Sequence, residues 1–95
     1  MAGWVYILAS APYGTLYIGV TADLPRRVFE HREGVGSAFA KRYGVHRLVH
    51  TEYFEDIETA IHREKRLKKW NRRWKIDLIE QDNPQWADLY ERLNW

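Results

Sequence analysis

WVYIL at residues 4–8 and LYIGV at residues 16–20 are short apolar segments, separated by a connection that includes Ala11-Pro12-Tyr13-Gly14. Side chains alternate between the two faces of a β-strand, so Val5 and Ile7 are predicted on one face and Tyr6 on the other. Because the connection is short, the two strands can pair only as an antiparallel hairpin. The chain is therefore predicted to start with a hairpin that has one aliphatic and one aromatic face.

Two tyrosines, Tyr6 and Tyr17, are the most informative side chains of this hairpin. If the chain turns about Ala11-Pro12, the two phenols become cross-strand neighbours, roughly 5 Å apart. Gly19 removes a side chain from the same face, which would let a ligand approach the phenols. Aromatic residues are also common in strands for packing reasons alone. The hairpin by itself leaves ordinary packing as an open alternative.

The length and composition predict one domain with a single core. The chain has 95 residues, of which 45% are hydrophobic and 15% aromatic, and it has no cysteine. The lack of cysteine excludes disulfides, thiolate metal sites and thiol nucleophiles, and it fits a reducing compartment. No apolar run approaches the roughly 20 residues that span a bilayer, and nothing suggests secretion. We therefore expect a cytoplasmic protein with no membrane partner.

Positive charge is concentrated in residues 62–75, which contain eight Lys or Arg and one Glu and sum to +7. Residues 1–61 sum to −1 and residues 76–95 to −4. A basic segment on a mildly acidic domain is typical of a surface that binds a polyanion, although a solvated helix face would have the same composition. The predicted contacts with nucleic acid are Arg26, Lys65, Lys68, Lys69, Arg72, Arg73 and Lys75.

The first helix is predicted to begin after Asp23, whose carboxylate can cap it, and to end near Gly34. From there to about Gly44 the sequence leaves the course of the chain open. Residues 46–54 have the composition of a third strand.

Three further helices are predicted in the second half of the chain. Asp56 caps the first of them, and Asn71 is placed to cap a second that runs through Ile79. Asn83-Pro84 is predicted to start a short terminal helix. A small sheet flanked by helices is the simplest architecture that buries all the apolar stripes, so the fold class is α/β (α+β).

Three polar residues lie on the apolar stripes of the predicted helices. Arg27 and His31 share a stripe with aliphatic residues in the first helix, and Glu64 does so in the second. Charged groups are seldom buried unless they are paired or bind a metal. One interpretation is a semi-buried ion pair between Arg27 and Glu64. The other is a polar site that faces the tyrosines.

Such a set of residues has the parts that phosphodiester hydrolysis needs. The reaction requires an activated water, a cation on the phosphate oxygens, a base and a proton for the leaving oxygen. Glu64 is a plausible ligand for Mg²⁺, which binds through one or two carboxylates and keeps several waters. His46 and His50 share a face of the predicted strand, but without a third ligand they make a poor zinc site.

These residues together resemble the GIY-YIG nuclease superfamily, and specifically its small standalone bacterial members built around a URI-type endonuclease domain. Tyr17-Ile18-Gly19 matches the second half of the family name, and Trp4-Val5-Tyr6 matches the first half with tryptophan in place of glycine. The segment from Asp23 to His31 is similar to the family's arginine helix, and Ala60–Lys65 to its glutamate helix. The resemblance covers roughly residues 3–80 and leaves about 81–95 as a C-terminal helical extension.

The resemblance implies a three-stranded antiparallel sheet and a role for each motif residue. Tyr17 would activate the attacking water and Tyr6 would support the hydrogen-bond network. Arg27 would stabilise the transition state, His31 would assist proton transfer, and Glu64 would hold a single divalent metal, Mg²⁺ or Mn²⁺. A phenol has a pKa near 10, so Tyr17 can serve as a base only if Arg27 and the metal favour the phenolate.

The chain departs from the family pattern in two further places. Val20 follows the YIG glycine where many relatives have lysine, and Asn71 is the candidate for a downstream asparagine. The resemblance implies a metal-dependent endonuclease, most readily a structure-selective one on DNA rather than RNA, with target selection from the basic segment, from substrate shape or from a targeting protein. The alternative is a catalytically weak or inactive nucleic-acid-binding protein on the same scaffold, for which Trp70 and Trp74 could stack on bases, although their spacing favours burial between helices.

Overall fold

The computed structural model describes residues 1–93, and it confirms the α+β class. Three strands form one antiparallel sheet in the order β2-β1-β3. The strands are β1 (Gly3–Ala9), β2 (Leu16–Thr21) and β3 (Arg47–Phe54), and the helices are α1 (Leu24–Arg32), α2 (Ala38–Tyr43), α3 (Ile57–Lys69) and α4 (Arg72–Asp82). Because β1 is central, the first hairpin provides both the middle of the sheet and one of its edges.

The two faces of β1 supply two separate cores, as the alternation of its side chains predicts. Val5 and Ile7 pack in one cluster with Ala60 and Leu67 of α3 and with α4. Tyr6 and Leu8 pack in the other cluster with α1, through Leu24 and Val28, and with Ala40, Val45 and Leu48. The α1 helix and the α3–α4 pair therefore lie on opposite faces of the sheet.

The hairpin register differs from the predicted one. Tyr6 is opposite Gly19, and Tyr17 is opposite Leu8, so the two tyrosines are diagonal rather than direct neighbours. The turn is centred one residue later than expected, because the amide of Gly14 donates to the carbonyl of Ala11 and the amide of Ser10 to that of Thr15. The phenol rings still meet, with their centroids 6.3 Å apart.

Polar caps begin the helices as predicted from the sequence. Asp23, Asp56 and Asn71 each accept a hydrogen bond from a backbone amide in the first turn of α1, α3 and α4. The third strand begins at Arg47, and α4 extends three residues beyond Ile79 to Asp82. The strand start therefore differs from the predicted one by one residue, and the helix end by three.

The segment that the sequence left open contains α2. Ser37 accepts a hydrogen bond from the amide of Ala40 at its start, and Gly44 ends the helix in the left-handed conformation, with φ of 63°. Six residues are too few for helical periodicity to be recognised, which is why α2 was not predicted.

The C-terminal segment packs as an irregular strap, where a helix was expected. Of the described residues after Pro84, only Leu89–Arg92 are helical, in one 3₁₀ turn, and residues 94–95 of the predicted extension lie outside the described part of the chain. Trp86 is buried and accepts a hydrogen bond from Arg47 on its carbonyl, while Asp88 pairs with Arg32 of α1. The strap therefore connects β3 to α1. Across residues 1–93, every helix is too short or too polar to cross a bilayer.

Candidate active site

The exposed edge of β2 borders a cleft of about 270 Å³. Tyr17 comes from the edge strand itself and is half-buried. Its ring contacts His31 and the α2 side chain Phe39, at centroid distances of 5.0 Å and 6.1 Å. The cleft is lined by Leu16, Tyr17, Ile18, Phe39, Lys68 and Lys75. Lys68 of α3 and Lys75 of α4 therefore line the same cleft as the phenol of Tyr17.

Tyr6 and His31 form a buried hydrogen bond behind Tyr17. The Tyr6 hydroxyl lies 2.9 Å from Nε2 of His31. Burial raises the pKa of Tyr6 to about 12, although the neighbouring Arg27 guanidinium opposes this shift. Tyr6 is therefore a neutral phenol at physiological pH, whereas Tyr17 borders the cleft.

Gly19 makes room for Tyr6, not for a ligand. A Cβ atom at position 19 would lie 2.4 Å from both Cζ and the hydroxyl oxygen of Tyr6. The space that the glycine leaves on this face is filled by the Tyr6 ring, so the expectation of an open approach beside Gly19 is wrong. The cause is the register, which places Gly19 directly opposite Tyr6.

Gly19→Ala is expected to destabilise the protein by about 1–3 kcal/mol, the usual cost of overpacking a core. In a strand interior, replacing glycine by alanine ordinarily stabilises a protein slightly. A loss of stability would therefore be evidence for the contact with Tyr6. Urea unfolding of Gly19→Ala should be compared in the wild-type and Tyr6→Leu backgrounds, because leucine removes the ring. An equal cost in both backgrounds would contradict the steric explanation.

Arg27 is held at its guanidinium by two acceptors. Nη2 donates to the carbonyl of Gly36 at 2.7 Å, and Nη1 lies 3.2 Å from Oε1 of Glu30. Burial disfavours its charge, but Tyr6 and Glu30 outweigh that effect, and the pKa of Arg27 is raised. Arg27 stays cationic within electrostatic range of Tyr6 and Tyr17. Its carboxylate partner is Glu30, so the alternative of an ion pair with Glu64 is wrong.

Glu64 lies on the other side of the β2 edge, on α3. Its side chain is only 12% exposed, and Oε2 is 3.0 Å from Nζ of Lys68, which lines the cleft. Glu64 is close enough to Tyr6 for its charge to contribute to the raised pKa of that phenol. The carboxylate therefore faces a cation beside the cleft.

His31 is held neutral. Its side chain is 2% exposed. Burial, and then repulsion from Arg27, lower the pKa of His31 to about 4. Nδ1 has no hydrogen-bond partner, and a Cβ at position 36 would lie 2.8 Å from it, so Gly36 allows the loop after α1 to cover the ring. In a neutral imidazole, Nε2 either accepts a hydrogen bond from the Tyr6 hydroxyl or donates one to it, depending on which ring nitrogen carries the proton.

The depressed pKa of His31 predicts a loss of stability in mild acid. The unfolded chain takes up a proton near pH 6.5, whereas the folded one does so only near pH 4, so stability falls as the pH drops through this window. For this group we expect the free energy of unfolding to decrease by about 2 kcal/mol between pH 7.5 and pH 5. Urea unfolding of His31→Gln should show a correspondingly smaller pH dependence. An unchanged dependence would remove His31 as its source.

The predicted nucleic-acid contacts fall into three groups. Lys68 and Lys75 line the cleft, whereas Arg26, Lys65, Lys69 and Arg73 are exposed elsewhere. Arg72 donates to the carbonyls of Tyr13 and Gly14, 2.6 Å from each, and so anchors the first hairpin to α4. Asn71 uses its side-chain oxygen to cap α4, at 2.9 Å from the amide of Trp74, and does not line the cleft.

A second polar cluster lies on β3, the opposite edge of the sheet. Glu52 accepts from Nε of Arg63 at 2.8 Å and lies 2.8 Å from Nε2 of His50. Burial opposes the charge of Glu52, but these two partners outweigh it and lower its pKa to about 2. Among residues 1–93 no three His, Cys, Asp or Glu side chains converge as a metal site.

Two residues of the site were not predicted from the sequence. Phe39 borders the cleft from α2, and Gly36 anchors Arg27 through its carbonyl. Neither residue carries a reactive side chain, and both lie in the segment whose course was open. The pair of Ser37 and Gly44 at the ends of α2 was the signal that could have located Phe39.

Comparison with known proteins identifies the family of the chain. The family model of the GIY-YIG catalytic domain matches residues 2–77. A UPF0213 protein of Natronomonas pharaonis is 38% identical over 76 residues, covering 80% of this chain and 88% of the relative. One from Clostridium perfringens is 32% identical over 91 residues, covering 96% and 97%. The solution NMR structure of a UPF0213 protein from Bacillus halodurans superposes with a TM-score of 0.58, at 33% identity and 93% coverage of both chains. The chain therefore belongs to the GIY-YIG catalytic domain family, a family of nuclease domains, and its homologues include small UPF0213 proteins.

Proposed function

We propose that the protein is a metal-dependent endonuclease that hydrolyses phosphodiester bonds in nucleic acid. The observation that carries the proposal is that charged groups from two different helices act on the tyrosine pair: Arg27 of α1 on Tyr6 and Tyr17, and Glu64 of α3 on Tyr6. Tyr17 and the Glu64 partner Lys68 border the same cleft, and Arg27 lies within electrostatic range of Tyr17. A phosphate in this cleft would meet the Tyr17 phenol and the ammonium groups of Lys68 and Lys75, with the Glu64 carboxylate paired to Lys68.

The environments of the two tyrosines support different roles for them. Tyr17 borders the cleft and is the residue we assign to activating the attacking water. Tyr6 is buried, with a pKa of about 12, and is bonded to His31. We assign Tyr6 to positioning, because its ring contacts Tyr17 and its hydroxyl fixes the imidazole.

Arg27 and His31 are assigned to charge stabilisation and to proton transfer. The raised pKa of Arg27 keeps a fixed positive charge beside the phenols, where it would stabilise an anionic phosphate in the transition state. His31 packs against Tyr17 and is neutral, so Nε2 can relay a proton with the Tyr6 hydroxyl only transiently, because its pKa of about 4 makes it a weak proton acceptor at neutral pH.

Glu64 is the residue we assign to holding Mg²⁺ or Mn²⁺. Its carboxylate already faces one cation, the ammonium of Lys68, and a single carboxylate suits an ion that keeps several of its waters. When bound, such an ion would stabilise charge on the phosphate oxygens. The arrangement of a largely buried carboxylate beside an open cleft fits this use.

For the substrate we propose DNA, recognised by its structure and not by its sequence. Residues 1–93 form the catalytic fold and its C-terminal strap, and none of the described elements is an additional module for reading bases. Target choice would then rest on the basic residues, on strand geometry or on a targeting protein.

A nucleic-acid-binding protein without useful turnover is the second candidate. The ion pair between Glu64 and Lys68 favours it, because the lysine competes with a metal for the carboxylate. Val20 also provides no charge where many relatives have lysine. Both candidates use the same basic surface, so only turnover separates them.

The deciding experiment incubates the protein with nicked, flapped, branched and linear DNA, and with RNA, in Mg²⁺ or Mn²⁺. Tyr17→Phe and Glu64→Ala serve as the inactive controls. Cleavage that is lost in both variants supports the nuclease. If no substrate yields a product and neither variant changes binding, the protein is instead a nucleic-acid-binding protein without useful turnover.

A further inference from the structure

A second cleft of about 430 Å³ lies on the outer face of α4. It is lined by Trp70, Trp74, Asp77, Leu78 and Gln81, and it shares no lining residue with the cleft at Tyr17. Helical spacing places Trp74, Asp77, Leu78 and Gln81 on one side of α4, while Ile76 and Ile79 on the other side are buried in the core. Packing against the sheet therefore does not account for Trp74.

Trp74 is 55% exposed, contrary to the expectation that both tryptophans are buried between helices. The break between α3 and α4 causes the difference, because Trp70 ends α3 and Trp74 lies in the first turn of a separate helix. The two indoles meet edge to face, with centroids 5.8 Å apart and planes at 90°. They form a corner in which a flat ring could stack on Trp74 and contact Trp70 with its edge.

The charges around the corner favour a polyanion over an apolar partner. Arg63, which is paired with Glu52, lies over the ring of Trp70, 5.0 Å from its centroid, and the exposed Arg66 lies one helical turn before that tryptophan. Asp77 is the carboxylate of the lining, and it is paired with Arg73 at 3.2 Å. Lys65, Arg66 and Lys69 are exposed on the same basic segment. A flat aromatic ligand that carries phosphates matches both the indoles and these cations.

We propose that Trp74 and Trp70 form a nucleobase-binding site, separate from the catalytic cleft, that stacks on one unpaired base of a polynucleotide. The proposal rests on the proposed function in that nucleic acid is the ligand of the basic surface, but it does not require turnover. The Trp70–Asn71 junction lies between Lys68 and Lys75 of the catalytic cleft in the chain. A strand held at the tryptophans would thereby be tethered close to the proposed reaction site.

The test measures binding in EDTA, where cleavage does not interfere, by fluorescence anisotropy of two labelled probes. One probe is a 12-nucleotide oligothymidylate, and the other is a 12-unit sugar–phosphate strand without bases. Trp74→Ala is expected to weaken binding of the oligothymidylate at least about fivefold, the low end of the effect of one aromatic–base stack. Binding of the abasic strand should not change. Trp74→Phe should retain most of the affinity.

Two controls separate stacking from charge and from general damage. Phe29 is 50% exposed on α1, away from this corner, so Phe29→Ala should leave both affinities unchanged. Lys69→Ala should weaken both probes and lower the slope of log affinity against log salt by about 0.7, the value for one phosphate contact on a single strand. Trp74→Ala should leave that slope unchanged.

Several results would overturn the proposal. An equal loss on both probes, no loss on either, or wild-type protein that does not prefer the probe with bases would each exclude a base-stacking site. If Trp74→Ala instead dissolves a self-association seen by sedimentation while oligothymidylate binding persists, the corner is a protein contact. Failure of the nuclease proposal is recognised separately, by the absence of cleavage in Mg²⁺ while this binding pattern remains.

Discussion

Glu64→Gln is expected to lower the cleavage rate by at least about a hundredfold, because several kcal/mol of transition-state stabilisation depend on a bound catalytic cation. Glutamine keeps the size of the side chain but removes the negative charge that Lys68 now faces at 3.0 Å. By calorimetry we expect wild-type protein to bind Mg²⁺ or Mn²⁺ and the Glu64→Gln variant to lose that binding. This second measurement does not depend on turnover.

Glu58→Gln is the matched control for that experiment. Glu58 lies on the same helix as Glu64 but is exposed in its first turn. We expect it to leave both the cleavage rate and the metal titration unchanged. Metal binding by Glu64→Gln equal to that of wild type would remove Glu64 as the ligand, and full activity of that variant would remove it from the reaction.

Tyr17→Phe is expected to lower the cleavage rate by roughly 10²–10⁴-fold, the range for loss of a general acid–base group. The phenyl ring can keep the contacts with His31 and Phe39, so we expect little change in stability. The loss should appear in the rate at saturating substrate, because the hydroxyl is assigned to the chemical step and not to substrate binding.

Tyr6→Phe provides the contrast with Tyr17→Phe. This change removes the hydroxyl that lies 2.9 Å from Nε2 of His31 and leaves a buried imidazole nitrogen without a partner. We expect a loss of about 1–3 kcal/mol in the free energy of unfolding and a smaller effect on cleavage than that of Tyr17→Phe. If Tyr6→Phe costs more activity than Tyr17→Phe, the two roles must be exchanged.

The strands and their faces could be predicted because alternation is a local property. Val5 and Ile7 point to one core and Tyr6 to the other, as the pattern of β1 predicts. The starts of α1, α3 and α4 could also be predicted, from Asp23, Asp56 and Asn71, because an N-cap residue acts within the first turn of its own helix.

The register of the hairpin could not be predicted at the same level. It depends on the turn, where a shift of one residue in the centre moved the partner of Tyr6 from Tyr17 to Gly19. The sequence also could not predict which groups the charged side chains contact. Arg27 reaches the carbonyl of Gly36 in an unassigned loop, and Glu64 pairs within its own helix with Lys68.

The sequence by itself determined the three strands, the helices α1, α3 and α4, the two faces of the central strand and the residue types that identify the family, because each depends on local spacing. Tertiary structure decided how those residues meet. It filled the space beside Gly19 with Tyr6, made His31 a buried neutral imidazole and left Trp74 exposed at a helix break. These outcomes depend on side chains that approach one another from distant parts of the chain, and burial and charge act only once those distances are fixed.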